Sequence, residues 1–90
     1  MPLLVIDAAL ANGKMLELNA NPMRLDMDWR HWRKAAERGL LCCINPDTHA
    51  LHHFDYQLAG VYAARKGWLQ AEHIFNTRTL GEVVDYLGLA

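Results

Sequence analysis

Cysteine is scarce in this sequence, and the two that occur, Cys42 and Cys43, are neighbours. Adjacent residues on a strand point to opposite faces, which argues against a bridge between them. The pair reads as reduced core thiols of a cytoplasmic protein. An excess of charge of one sign is also lacking. Nine basic and ten acidic residues leave a formal net charge of −1, so no general pull toward nucleic acid exists and any such contact has to be local. No stretch reaches the roughly 18 apolar residues of a membrane span, and Met1-Pro2-Leu3-Leu4 lacks the charged segment of a secretion signal. Gly-rich phosphate loops, nucleophile elbows and C-x-x-C pairs are missing, as are repeats, low-complexity tracts and linkers. These absences leave one soluble, cytoplasmic domain at most. Its 90 residues are 52% apolar, enough for a modest core that is marginally stable alone.

What is present is organised around Leu40-Leu41-Cys42-Cys43-Ile44, an apolar run that ends in Asn45-Pro46-Asp47-Thr48-His49. Met15-Leu16-Glu17-Leu18-Asn19 followed by Ala20-Asn21-Pro22 has the same shape. Both read as strands, the second apolar on both faces as parallel strands under helices tend to be. Leu3, Ile6 and Leu10 have helical spacing, stopped by Asn12-Gly13. Asp28 is placed to cap a helix over 29–38, with Trp29, Trp32 and Ala36 as its apolar stripe and Gly39 as its end. Asp55 is placed to cap a helix over 56–66, with Leu58, Val61, Tyr62 and Arg65 on one side and Gly60 permitting close packing. A short helix over 70–75 follows. Thr79-Leu80-Gly81-Glu82 is a capping box that opens a last helix to about Leu87. The order α-β-α-β-α-α, with a helix between the strands, predicts an α/β unit with a short parallel sheet.

Asp47 and His49 are two apart, so on extended chain their side chains share a face. Carboxylate oxygen and imidazole nitrogen suit Zn, Mn or Fe, which make hydroxide from bound water and neutralise a phosphate under attack. The spacing alone is common by chance, and the alternative is an Asp that turns the chain beside an exposed His. His49, His52 and His53 would share a metal only if the segment were helical, whereas Asp47, Thr48 and the later Asp55 favour a loop. Arg30, Arg33, Lys34 and Glu37 read as a solvated helix face, with phosphate binding as the lesser reading. His31 and His73 have no partner in sequence.

Several segments together carry a resemblance. Leu16 to Asp26 resembles the "LEINANPxRLD" stretch in the C-terminal PHP (polymerase and histidinol phosphatase) domain of bacterial family X DNA polymerases. Asp28-Trp29-Arg30-His31 is similar to the helix start that follows it. Ile44 to His49 resembles that family's "IN(T/P)DAH", Tyr56 to Leu69 its "GVGIARRGWL", and Asn76-Thr77 its "LNT". The resemblance implies the C-terminal βαβα portion of a distorted (β/α)₇ TIM-like barrel that removes nucleotides from DNA 3′ ends as a metal-dependent 3′–5′ exonuclease. Asp47 and His49 fall on the last metal-ligand motif, with Mn, Zn or Fe as the implied metal. Asn21 and Arg24 lie in a loop on the same mouth, and Arg24 is suited to grip phosphate bidentately. The remaining ligands, an upstream H-x-H and further His and Glu, have no counterpart here. Two strands cannot close a barrel, and two protein ligands hold a catalytic metal poorly. A homo-oligomer, or a companion segment that completes the barrel, is therefore the expected partner besides a DNA 3′ end. A non-enzymatic, self-associating domain is the alternative.

Overall fold

A computed structural model describes residues 2–23 and 27–89. Two four-residue strands form the sheet, β1 over Leu16–Asn19 and β2 over Cys42–Asn45. They pair in parallel, Leu16 with Cys42, Glu17 with Cys43, Leu18 with Ile44 and Asn19 with Asn45. Because side chains alternate along a strand, this register places Leu16, Leu18, Cys42 and Ile44 on one face. Glu17, Asn19, Cys43 and Asn45 share the other. The helices α1 (Pro2–Ala11), α2 (Trp32–Glu37), α3 (Tyr56–Lys66) and α4 (Leu80–Leu87) complete the expected order among the described residues. None of them is long and apolar enough to cross a membrane.

The apolar face carries the core. Leu18, Cys42 and Ile44 are buried with Ile6 and Ala9 of α1, Trp32, Ala35 and Ala36 of α2, Leu40, and Ala64 of α3. Gly60 brings α3 onto the sheet as expected. A β-carbon there would lie 2.6 Å from Ile44 Cγ2 and 2.7 Å from the Ala20 β-carbon. Burial out of water pushes the Cys42 thiol up to about 12, with the neighbouring Cys43 adding to the effect.

The structure corrects the apolar stripe expected on α3. Leu58 and Tyr62 face solvent, 55% and 59% exposed, and Val61 and Arg65 are exposed beside them. The face turned to the core is the one carrying Gly60 and Ala64. Small residues prevail because the sheet lies too close for large ones. On α2 the stripe is Trp32, Ala35 and Ala36, while Trp29 lies in a preceding 3-10 turn, Trp29–His31, and is exposed. Asp28 does cap that turn, accepting from the Arg30 backbone N–H at 2.9 Å. Arg30 also forks onto the same carboxylate, and this pairing holds the Asp28 carboxyl well below its usual range. Asp55 makes no capping bond, because a 3-10 turn, Leu51–Asp55, runs straight into α3.

The helix expected over 70–75 is instead two 3-10 turns, Ala71–His73 and Phe75–Thr77, on either side of Ile74. Ile74 forms a parallel bridge to Cys42. Two residues on, the Asn76 carboxamide accepts from the Ile44 N–H at 2.8 Å and donates to the Ile44 carbonyl at 2.9 Å. A side chain thus does there what a third strand would do. The far edge of β1 has no paired strand among the described residues. The capping box at Thr79 and Glu82 forms as read. Its two backbone and side-chain bonds to Thr79 lower the Glu82 carboxyl from its ordinary value.

Candidate metal centre

The sheet's parallel direction sends both strands toward one end, and the polar residues that follow them meet there. After β2, Pro46 leads to Asp47 at φ +54°, the left-handed region that Asp tolerates better than most side chains. The bend brings His49 back over Asp47. His49 Nδ1 lies 2.7 Å from the Asp47 backbone carbonyl and 4.0 Å from Asp47 Oδ1. A carbonyl only accepts, so Nδ1 carries the ring proton in neutral His49 and Nε2 keeps its lone pair. Metal-ligating histidines are commonly oriented by a bond of this kind on the other ring nitrogen. Both side chains reach solvent, His49 the more so.

Two residues fix this bend. His53 Nδ1 accepts from the His49 backbone N–H at 3.0 Å. Its ring stacks on Tyr56 at 4.8 Å between centroids and meets His52 edge-on at 4.6 Å. Since that Nδ1 is already an acceptor, His53 serves as a brace for the turn, and His49 lies outside the 3-10 turn that carries His52 and His53. The second brace is Asn19, at the end of β1. Only 2% exposed, it donates from Nδ2 to Asp47 Oδ2 at 3.3 Å and accepts on Oδ1 from the Asn21 N–H at 3.0 Å. Sequence reading gave Asn19 no role beyond ending the first strand. The usable signal was its position: a polar residue closing a strand one step before a loop has to find partners if it is buried.

Asn21 is half-buried, and its Oδ1 accepts from the Met23 N–H at 3.0 Å, which shapes the loop. Arg24 lies outside the described residues. Glu17 stays on the open polar face and accepts from Asn45 Nδ2 at 3.2 Å. Thr48 Oγ1 and Gln57 Oε1 are buried without a hydrogen-bond partner among the described residues. Among those residues no three His, Cys, Asp or Glu side chains converge closely enough to hold a metal. The donor chemistry of Asp47 and His49 fits a divalent metal, but as part of a ligand set, since catalytic sites take about three protein ligands.

No model of a protein family matches the chain. Over 83 residues, 92% of its length, the chain is 42% identical to the DNA polymerase/3′–5′ exonuclease PolX of Bacillus subtilis (strain 168). It spans 15% of the length of that relative.

Proposed function

We propose that this chain is the closing portion of a metal-dependent PHP phosphoesterase domain, the 3′–5′ exonuclease part of a family X DNA polymerase. Its contribution is Asp47 and His49, the last two ligands of a divalent metal cluster at the mouth of a distorted (β/α)₇ barrel. The observation that carries this reading is the hook after β2, where His49 spends Nδ1 on the Asp47 carbonyl and presents Nε2. The similarity in order along 92% of the chain supports the same reading.

When bound, the metal would supply a hydroxide nucleophile and neutralise the phosphate. The chain's own residues do the positioning. Asp47 and His49 hold one side of the ion, while Asn19 and His53 keep the bend from relaxing. Arg24, which the resemblance puts on the same mouth, is the candidate to hold phosphate. The missing ligands and strands come from a companion segment beside the open edge of β1, and without it the chain is inactive. Calorimetric titration with Zn²⁺ or Mn²⁺ should show weak binding that disappears in Asp47→Ala with His49→Ala. An identical titration for the double variant would reject the ligand assignment. Mn²⁺-dependent digestion of single-stranded 3′ ends by the chain alone, abolished by His49→Ala, would overturn the need for a companion.

A second reading, a non-enzymatic domain that self-associates, is favoured by the exposure of Leu58, Val61 and Tyr62 on α3. Water penalises such faces. Sedimentation at micromolar concentration distinguishes the two, because a well-behaved monomer leaves self-association without a role.

A further inference from the structure

A balanced net charge leaves room only for a local contact with a polyanion, and one cleft offers the chemistry for it. Trp29, Arg30, Arg33, Gly67 and Trp68 line a cleft of about 190 Å³ between the start of α2 and the end of α3. Arg33 Cζ lies 4.9 Å from the Trp68 ring and Lys66 Nζ 4.9 Å from the Trp29 ring. Such pairs occur about once per 70–80 residues, so two around one cleft in a chain this short is a concentration. Arg30, Arg33, Lys34, Arg38, Arg65 and Lys66, six of the nine basic residues, lie on the two segments that meet there; of these Arg30 pairs with Asp28, Arg33 with Glu37 at 3.5 Å and Arg38 with Asp7 at 2.7 Å, all at exposed positions.

The backbone at Trp68 adds an independent observation. The Trp68 N–H donates to the Arg65 carbonyl and the Leu69 N–H to the Ala64 carbonyl, each at 3.0 Å. This paired closure of a helix needs a left-handed residue just past its end, ordinarily glycine. Trp68 occupies that position at φ +65°. The preceding Gly67 is reserved for close contact, since a β-carbon there would lie 2.9 Å from the Trp29 carbonyl oxygen and 3.2 Å from the Trp32 β-carbon. Core packing does not account for an indole in this strained place, because Trp68 is 68% exposed. A bulky side chain held against backbone preference is characteristic of a site with a use.

We propose that the cleft docks single-stranded nucleic acid, one base stacking on the open part of the Trp68 indole while flanking phosphates meet Arg33 and Lys66. A single strand is specified because its bases present free π-faces, and stacking on aromatic side chains beside cationic groups is how such strands are held. Neither Asp47 nor His49 lines the cleft, so the proposal stands or falls apart from the metal reading.

The test is fluorescence anisotropy of a labelled oligodeoxythymidylate titrated with the full chain at low salt, without divalent metal. Saturable binding that weakens as salt rises is expected. Trp68→Gly should weaken it about ten-fold or more while raising the thermal midpoint, because glycine relieves the left-handed strain. Arg33→Gln with Lys66→Gln, which leaves the backbone alone, should weaken it comparably. No saturable binding, or unchanged binding in Trp68→Gly, would overturn the proposal. So would sedimentation in which Trp68→Gly dissociates an oligomer, since the cleft would then belong to a second copy.

Discussion

The two faces of the small sheet are built by different rules. Under the helices, Leu18, Cys42 and Ile44 meet Trp32, Ala64 and the bare backbone of Gly60. On the other side, Glu17, Cys43 and Asn45 bond mainly to one another, and only Asn19 is drawn inward, toward Asp47. A parallel sheet ordinarily has both faces covered. The contrast therefore separates what holds this chain together from what it offers to something else. One face supplies stability, and the other keeps polar groups together at the end of the sheet where both strands finish.

Substitutions graded from the covered face to the open one should reproduce this contrast in urea unfolding. Trp32→Ala removes the largest buried side chain and should cost about 3–5 kcal/mol, a large share of the stability of any small domain. Gly60→Ala tests packing against propensity. A helix interior gains about 1 kcal/mol from alanine, yet the added carbon meets the fixed β-carbon of Ala20 and overpacks by about 1–3 kcal/mol, so net loss is expected. Asn76→Ala leaves the Ile44 N–H without its partner and should cost about 1–3 kcal/mol. Its carbonyl retains Gln57 Nε2 at 2.8 Å, which favours the lower end. Glu17→Gln and Cys43→Ser on the open face should stay within about 0.5 kcal/mol. A loss there as large as at Gly60 would mean that the open face is structural after all.

A further effect expected is one of pH. The folded Cys42 thiol is raised to about 12, while an unfolded cysteine ionises near ~8.5. The unfolded chain therefore releases this proton first, so the contribution is complete below the unfolded value and declines as pH rises through that window. Unfolding midpoints above neutral pH should fall in the parent and fall less in Cys42→Ala. Thiol reagents should modify the half-exposed Cys43 well before Cys42.

Features written in a few adjacent residues were legible in the sequence. Asp28, the Thr79–Glu82 box and the order of strands and helices follow from local chemistry that tertiary packing had no reason to override. The strands shift by a residue or two at their ends, as boundaries do. The buried face of α3 was not legible, because Leu58, Val61 and Tyr62 make a convincing stripe until the closeness of Ile44 and Ala20 to Gly60 is known. Nor was the break at Ile74, since its bridge to Cys42 is a contact distant in sequence. Of the site, the Asp47–His49 spacing was visible. The braces were not: Asn19 and His53 acquire their roles through the register of β1 and the path of a turn.

The carboxamide of Asn76 has one more implication. By occupying both hydrogen-bonding groups of Ile44 with a side chain, it terminates the sheet on that flank. Among the described residues the edge left for a further strand is that of β1, beside Glu17 and Asn19.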